Sequence, residues 1–284
     1  MELQWFPGHM AKTRRLITDS LKLVDVVVEL VDARLPLSSR NPEIDRIVGH
    51  RPRVLVLNKA DVADSEANQK WLNYFKNKGI ETILMDSQSG KGLKNFDAAI
   101  DTVLAEKFEK ERLKGMQRRT VKMMIVGIPN VGKSSFINRL SGRAATKTGD
   151  RPGVTTAKQW IKVAGKYEIL DTPGILWPKF EDKEVGRRIA FTGGIKDEIM
   201  DIEELAFFLV GYLRKNYPRM LAERFKITED TSEIGDFELV ELIGKKRGCI
   251  VSGGNVDTLR ASNLILDEFR AAKIGKITLE LPEN

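Results

Sequence analysis

The chain has 284 residues, of which 42% are hydrophobic and 31% are charged, so it holds enough apolar material for a packed core and is long enough for two domains. One cysteine, Cys249, and two histidines, His9 and His50, exclude an internal disulfide framework and a metal site built from several cysteines or histidines. No run approaches the ~18 uncharged apolar residues of a membrane span. The first residues also lack the profile of a secretory signal, so we expect a cytoplasmic protein with no membrane partner.

Positive charge is concentrated in the first two-thirds of the chain. The 47 Lys and Arg residues against 40 Asp and Glu residues give a net charge of +7. Residues 1–178 hold 30 basic and 20 acidic residues, a net of +10, whereas residues 179–284 hold 17 and 20, a net of −3. This excess favours a polyanionic partner, because phosphate backbones attract cations at long range and release counterions on binding. A basic surface that serves only solubility is the alternative.

Short β-rich apolar runs alternate with amphipathic stretches over the same region, which is typical of βα units around a mostly parallel sheet. The predicted strands are 24–31, 53–57, 81–85 and 121–126, followed by a hairpin from 158–163 and 167–170. The predicted helices are a short one that begins near Asn41-Pro42, then 64–78, 93–106 and 135–140.

Two changes in pattern divide the chain. Residues 107–120 carry dense, mostly basic charge, which indicates a connector, and a solvated helical extension is equally consistent with it. Beyond about residue 179 the β alternation fades, and apolar residues recur at helical spacing in 201–217, 237–246 and 256–272. We therefore predict an α/β domain over 1–178 and a mainly α-helical domain over 179–284.

A phosphate-binding loop is predicted at residues 127–134, where GIPNVGKS matches G-x-x-x-x-G-K-[ST] between a predicted strand and a predicted helix. Gly127 and Gly132 allow the curled backbone that points consecutive amides at one anion, and the helix N-terminus adds its dipole. Lys133 is expected to reach the β- and γ-phosphates, and Ser134 to coordinate Mg²⁺. The predicted nucleotide contacts here are Asn130, Val131, Gly132, Lys133, Ser134 and Ser135.

A second motif, Asp171-Thr172-Pro173-Gly174, follows the last predicted strand. In a P-loop enzyme an acidic group is needed near the magnesium ion, and Asp171 suits that role, with the Gly174 amide placed to sense a γ-phosphate. An ordinary β-turn is the alternative, since Asp, Pro and Gly all form turns.

Base selection is predicted for Asn58-Lys59-Ala60-Asp61, which directly follows a predicted buried strand. Guanine presents two adjacent donors that one carboxylate, Asp61, can accept, whereas adenine would leave that carboxylate unpaired. Asn58 can brace the loop and reach the other ring edge of the base, and the Lys59 stem can lie over the base plane. Asp86 and Ser87, after the next strand, occupy a position where a small residue passes the base edge; a plain loop cap competes equally.

Together these motifs resemble those of the translation-factor-type GTPases, but in a rearranged order, because the base motifs precede the phosphate loop. This resembles a circularly permuted P-loop GTPase. The opening WFPGHM and the segment DARLPLSSRNP, at residues 32–42, are similar to segments of the bacterial ribosome biogenesis GTPase A family. The resemblance to this family covers essentially the whole chain. The resemblance implies a factor that uses GTP to act late in the assembly of the large (50S) ribosomal subunit, with an α-helical RNA-binding domain and with rRNA and ribosomal proteins as partners. We expect it to be monomeric off the ribosome and to be stimulated by the ribosomal particle.

The resemblance also bears on hydrolysis. Many such enzymes place Gln after the Asp-x-x-Gly motif, but this chain has Ile175, which cannot orient water. His9 is the candidate for that task, by elimination and by the resemblance, and a surface or RNA-contacting role is its alternative. Thr155 or Thr156 is expected to complete the magnesium shell, with Thr155 favoured, and an ordinary β-turn is the alternative for this segment. Asn130 resembles the asparagine of potassium-stimulated GTPases, which makes K⁺ a candidate cofactor beside GTP and Mg²⁺.

Candidate RNA contacts are the basic residues Lys12, Arg14 and Arg15, those from Arg112 to Arg119, and Lys245-Lys246-Arg247. Each set could equally be a solvated face. Two other functions compete with an assembly GTPase on ribosomal RNA: a switch whose partner is a protein, and an ATP-binding protein, against which Asp61 argues.

Overall fold

The computed structural model describes residues 15, 17–142, 159–163, 165–171 and 182–282, and for residues 43, 159 and 171 the backbone alone. A short helical segment at 17–21 precedes the first strand. The elements that follow are β1 (Val26–Asp32), α1 (Pro42–Val48), β2 (Arg53–Asn58), α2 (Ser65–Asn77), β3 (Glu81–Met85), α3 (Leu93–Val103), α4 (Ala105–Leu113), β4 (Val121–Val126), α5 (Lys133–Ser141), β5 (Gln159–Val163) and β6 (Tyr167–Asp171).

These strands form a six-stranded sheet in the order β3-β2-β1-β4-β6-β5. All neighbours are parallel except β5, which forms an antiparallel hairpin with β6. Every residue of β1 is buried, as expected for a central strand covered on both faces. β4 lies next to β1 although two strands separate them along the chain, so the sheet brings together segments that the sequence keeps apart.

The predicted strands and the hairpin are confirmed, with ends that shift by up to two residues. Helix α2, predicted over 64–78, has Asp64 as its N-cap: the Asp64 carboxylate accepts hydrogen bonds from the amides of Glu66 and Ala67, each at 2.8 Å. Its buried Trp71 stacks on Phe75 with ring centroids 5.6 Å apart. The helix therefore packs an aromatic face against the sheet and holds the loop before it in place.

The charged stretch from 107 onward is a helical extension over its first half and a connector over its second. The predicted helix 93–106 stops at Val103, and α4 continues to Leu113 with no buried residue. Residues 116–120 then lead into β4 as an extended segment. Asp25, just before β1, fixes both ends of this connection. Lys107 pairs with it, Arg119 donates two hydrogen bonds at 2.8 and 3.1 Å, and the amide of Lys122 donates a third at 2.9 Å.

The second unit is helical, as predicted. It contains α6 (Lys183–Phe191), a 3₁₀ turn (Asp197–Ile199), α7 (Ile202–Asn216), α8 (Pro218–Phe225), α9 (Asp236–Lys246) and α10 (Thr258–Arg270). Helix α7 packs against both α9 and α10. Arg270 grips the carboxylate of Asp197 with two hydrogen bonds of 2.7 Å and donates to the carbonyl oxygen of Ala190 at 3.0 Å, which fastens the end of α10 to the end of α6. Within the described residues, no helix combines the length and the apolar character that crossing a membrane would need.

The observed units differ from the predicted domains 1–178 and 179–284. The first unit runs to Asp182, the second from Lys183 to Ile277, and the residues from Thr278 onward rejoin the first unit. The physical reason is a set of hydrogen bonds from residues 278–280 to Arg34, Ser38, Asp64 and Trp71, none of which has a signature in the local sequence.

Asp25→Asn tests whether this carboxylate secures the connection between α4 and β4. Burial by itself would raise the pKa of Asp25, but hydrogen bonds from Lys107, Arg119 and the Lys122 amide hold it below its usual range. We expect the free energy of unfolding at neutral pH to fall by about 1–3 kcal/mol, because the variant leaves two cations without their partner.

The contribution of Asp25 to the free energy of unfolding depends on pH, in a direction set by its lowered pKa. Because the pKa is lower in the folded chain than in the unfolded one, the stabilisation is complete above about pH 4 and is lost as the pH falls through the folded-state value. Urea titrations at neutral and acidic pH should therefore show the gap between wild type and Asp25→Asn narrowing on acidification. The matched control is Asp101→Asn, since Asp101 is 53% exposed and pairs with an exposed Arg118. An equal loss of stability in both variants would contradict the assignment.

Candidate functional site

Three predicted loops lie at one edge of the sheet. Residues 58–61 follow β2, residues 86–88 follow β3, and residues 127–134 follow β4. Since parallel neighbours end at the same edge, the predicted base motif and the predicted phosphate loop meet there. The carboxyl end of β1, at Asp32, lies between them in the strand order.

Asn58 joins all three loops through one side-chain amide. Its Nδ2 donates to the carbonyl oxygen of Val131 in the phosphate loop at 2.7 Å, across 73 residues of sequence. Its Oδ1 accepts from the backbone amide of Ser87 at 3.2 Å and from the Ser87 hydroxyl at 2.7 Å. Asn58 is 1% exposed, so these bonds are shielded from water. Both ends of the amide are thus used to fix the loops relative to one another.

The two glycines of the phosphate loop are required by close contacts. A Cβ at Gly127 would lie 2.5 Å from the carbonyl oxygen of Leu30 in β1. A Cβ at Gly132 would lie 2.4 Å from Nδ2 of Asn58, and Gly132 has a left-handed φ of +94°. The loop therefore packs directly on β1 and on the Asn58 amide, and a larger residue at either position must displace one of them.

The charged and hydroxyl groups of the phosphate loop lie at the start of the helix that follows it. Helix α5 begins at Lys133 with Gly132 as its N-cap, which places Ser134 and Ser135 in the first turn. Lys133 Nζ donates to the carbonyl oxygens of Gly127 and Ile128 at 3.0 and 2.9 Å, so its ammonium group lies against the loop that it is predicted to serve. Asn130 is exposed in the loop with φ of 59°, and Val131 is buried.

The donor set for Mg²⁺ fits this edge of the sheet. Asp171 ends β6, and β6 pairs in parallel with β4, with Leu170 opposite Met124. Asp171 and the Ser134 hydroxyl therefore belong to adjacent strand–loop units. One carboxylate and one hydroxyl, completed by phosphate oxygens and water, is a set of ligands that Mg²⁺ accepts.

The base motif presents an accessible carboxylate on a braced loop. Asp61 is exposed, and no hydrogen bond or ion pair joins its carboxylate to another described residue. Ala60 is held on both sides: its amide donates to the Met85 carbonyl oxygen at 3.1 Å, and its own carbonyl oxygen accepts from Asn68 Nδ2 at 3.2 Å. Lys59 adopts a left-handed φ of 59°, and its Nζ lies 3.2 Å from Oδ2 of Asp32. The ion pair with Asp32 thus holds the Lys59 ammonium group in place.

The loop after β3 uses Asp86 and Ser87 differently from each other. The Asp86 carboxylate accepts from the amides of Gln88 at 2.8 Å and Ser89 at 3.2 Å and from the Ser89 hydroxyl, so it stabilises its own turn. Burial raises the pKa of Asp86, yet these hydrogen bonds outweigh it and hold the pKa below its usual range. Ser87 is buried, and its carbonyl oxygen accepts from Nε of Arg139 in α5 at 3.1 Å. Ser87 therefore links the base side of the site to the phosphate helix.

Sequence reasoning assigned no role to Asp32 and Arg34, which support the site from β1. Arg34 donates to the Asp32 carboxylate from Nε at 2.9 Å and from Nη2 at 2.7 Å, and both side chains are 3% exposed. Burial opposes the charge on Asp32, but Arg34 and Lys59 together hold its pKa far below its usual range. The position of Asp32 in the sequence could have indicated its role. It ends a buried strand that pairs with the strand of the base motif, so it must lie near that motif.

Several predicted residues lie outside the described part of the chain: His9, Thr155, Thr156, Gly174 and Ile175, together with Lys12 and Arg14. Their assignments stay predictions.

Most of the described basic residues that were candidates for RNA contact are engaged in ion pairs. The pairs are Arg112–Glu109, Arg118–Asp101, Arg119–Asp25, Lys246–Glu229 and Arg247–Glu268. Lys114 and Lys245 are exposed and have no ion pair with another described residue. The ion pairs reduce the local positive charge that those sets were predicted to present.

Asn58→Ala tests whether the three loops form one nucleotide pocket. The variant removes three hydrogen bonds and leaves Val131 and Ser87 without their buried partner, so the phosphate loop and the base loop are no longer held together. We expect the affinity for GDP to fall by at least about tenfold, equivalent to about 1.4 kcal/mol. Displacement titration with a fluorescent GDP measures it, with Asn73→Ala on the exposed side of α2 as the control. Equal affinities for both variants would show that the bridge does not shape the pocket.

Comparison with known proteins agrees with this geometry. A family model described as a 50S ribosome-binding GTPase matches residues 122–242. The chain is 54% identical to the ribosome biogenesis GTPase A of Bacillus cereus, over 100% of this chain and 95% of that protein. It is 32% identical to the ribosome biogenesis GTPase A of Thermotoga maritima, over 99% of this chain and 95% of that protein.

A solved structure matches as well. The chain resembles the crystal structure of GNP-bound YlqF from T. maritima with a TM-score of 0.65 and 28% identity, covering 96% of this chain and 99% of that one. The P-loop GTPase fold with a mostly parallel sheet, in its permuted order, is thereby confirmed. Since these identities extend over the whole chain and the motifs of the family meet at one edge of its sheet, this protein belongs to the ribosome biogenesis GTPase A family and hydrolyses GTP in ribosome biogenesis.

Proposed function

We propose that this GTPase binds the precursor of the large (50S) ribosomal subunit, promotes its late maturation in the cytoplasm, and associates or leaves according to its GTP state. The observation that carries the nucleotide part is the Asn58 amide, which joins the base motif to the phosphate loop. The printed names of the matched family model and of the relatives support the ribosomal part. Ribosomal RNA and ribosomal proteins are the proposed partners, and off the particle the protein is proposed to be monomeric.

In this proposal GTP lies across the carboxyl edge of the sheet. Asp61 accepts the two guanine donors, while Lys59, anchored to Asp32, lays its stem along the base. Lys133 exchanges the carbonyl oxygens of Gly127 and Ile128 for phosphate oxygens. Ser134, Thr155 and Asp171 hold Mg²⁺, which supplies charge neutralisation at the transferred phosphoryl group.

The link from nucleotide state to ribosome binding runs along the chain. Asp171 ends the last strand of the sheet, and the second unit begins at Lys183, so the segment that carries Gly174 is also the covalent path between the units. A segment that orders around a γ-phosphate can therefore change the freedom of the second unit.

For the hydrolytic step, His9 is proposed to orient the attacking water, and K⁺ beside Asn130 to supply positive charge at the phosphates. Ile175 offers no hydrogen bond for that purpose, so turnover without the ribosomal particle should be slow.

Asp61→Asn tests base selection. The amide can donate where guanine also donates, so GTP affinity should fall by about 10²–10⁴-fold. Xanthosine nucleotides should bind the variant better than the wild type, because the xanthine C2 carbonyl accepts where guanine donates. Competition of GTP, XTP and ATP against a fluorescent GDP separates the cases, with exposed Glu66→Gln as the control. ATP binding as well as GTP in the wild type would contradict guanine selection.

Turnover with and without 50S particles tests the ribosomal part. We expect the particle to raise the GTP turnover of the wild type and K⁺ to raise it above the value in Na⁺. His9→Ala should lose the stimulation by the particle while keeping GDP affinity, since His9 belongs to neither the base motif nor the phosphate loop in the sequence. Phosphate release at matched nucleotide occupancy is the measurement. Wild-type stimulation in His9→Ala would remove His9 from the mechanism, and no stimulation of the wild type by the particle would contradict the proposed partner.

A further inference from the structure

A short segment, residues 278–281, leaves the second unit and returns to the nucleotide-binding unit; we name it the return segment. Its first three residues are buried there, with Thr278 and Leu279 each 1% exposed, whereas Leu281 is 56% exposed. The Leu279 amide donates to the carbonyl oxygen of Arg34 at 2.7 Å, and Trp71 Nε1 donates to the carbonyl oxygen of Glu280 at 3.0 Å. The segment is thus bonded on one side to the loop after β1 and on the other to α2.

Glu280 is the residue of the return segment with the unexpected chemistry. Its carboxylate is 9% exposed, and burial of a carboxylate is costly unless donors surround it. Here it accepts from the amides of Leu37 and Ser38, the latter at 2.9 Å, and from the Ser38 hydroxyl at 2.6 Å. These bonds span more than 240 residues of sequence and fix the loop at 35–39.

The loop at 35–39 holds Asp32, the carboxylate that pairs with Lys59 of the base motif. Ser39, next to Ser38, donates its hydroxyl to the Leu35 carbonyl oxygen at 2.6 Å and accepts from the Asp32 amide at 3.0 Å. Arg34, held by Leu279 through its carbonyl oxygen, in turn holds the Asp32 carboxylate, which lies 3.2 Å from Nζ of Lys59. The contacts form a continuous path from Glu280 to the second residue of the base motif.

The return segment also contacts the other flank of the base motif. The Asp64 amide, three residues after Asp61, donates to the Thr278 hydroxyl at 3.1 Å. Asp64 is the N-cap of α2, so this bond fixes the point where the base loop becomes helix. Both flanks of the guanine motif are therefore attached to the same short segment.

We propose that Glu280 is a positioning residue for guanine recognition: by fixing the loop at 35–39 and the return segment, it sets where Lys59 and Asp61 meet the base. The inference rests on the proposed contact of Asp61 with guanine. It goes beyond that proposal, because a residue more than two hundred positions away along the chain then contributes to base specificity.

The test compares GDP with IDP, whose base lacks the exocyclic amine that Asp61 would bind. In wild type GDP should bind more tightly than IDP. Glu280→Ala should lower GDP affinity about tenfold and IDP affinity much less, so that the preference for GDP falls; Glu280→Gln, which keeps an acceptor oxygen, should lie between the two. Ser38→Ala, which removes one bond to the carboxylate and leaves the backbone in place, should shift the preference in the same direction and is the second variant if Glu280→Ala does not fold. Glu106→Gln is the control, because Glu106 is 93% exposed on α4.

A structural role alone has a different signature. Each variant is melted without nucleotide and titrated well below its melting temperature. A lower melting temperature with an unchanged GDP-to-IDP preference would overturn the positioning role of Glu280 and leave the proposed function intact. Equal binding of GDP and IDP by the wild type would instead overturn the contact of Asp61 with guanine, and the inference with it.

Discussion

The site depends on one buried amide. A circularly permuted chain cannot use sequence proximity to align its base motif with its phosphate loop, and the sheet alone aligns strand ends only to within the freedom of the loops that follow. Asn58 removes that freedom, because its Nδ2 and Oδ1 are both used, toward Val131 and Ser87. Gly132 is part of the same constraint, since any Cβ there would displace the amide. The motif residue that reads as a base contact in the sequence is thus also the brace that makes a shared pocket possible.

Features carried by short-range chemistry could be predicted from the sequence, and features made by long-range contacts could not. The phosphate loop, the base motif and the strands each have a local pattern; the strands form as predicted, and the two motifs lie at the carboxyl ends of β4 and β2. Helix α8 was missed although Pro218 at its first position is a start signal, because the helix is only eight residues long. Asp32 and Arg34 are two residues apart, but their roles at the site depend on Lys59 and Leu279, and the role of Glu280 depends on a partner more than 240 residues away. Local composition contains no information on such pairs.

In this permuted chain, the connection between α4 and β4 joins the strands of the base motif to the strand of the phosphate loop, so it must be held in place. That connection is highly charged and has no buried residue in α4, so apolar packing cannot hold it. Asp25 replaces packing by electrostatics, taking one cation from the start of the connection and one from its end. An ion pair also stabilises the middle of β1, where Glu29 is 1% exposed and pairs with Arg40. Lys107, Arg119 and Arg40 therefore stabilise the fold through these ion pairs and present less positive charge to a polyanion.

Both ends of the second unit are joined to loops of the nucleotide site. The segment after Asp171 leads into it at Lys183, and the return segment leads out of it at Thr278. The first connection begins at Asp171, the proposed magnesium ligand, and the second binds the flanks of the guanine motif. Because coupling free energies are reciprocal, a partner that favours one arrangement of the second unit must act on nucleotide affinity to the same extent that the nucleotide acts on the partner. If the second unit were joined only through the segment after Asp171, its arrangement would be coupled to the γ-phosphate alone. Under the proposed function, attachment at both ends makes retention of the guanine base a second quantity that the ribosomal partner would change.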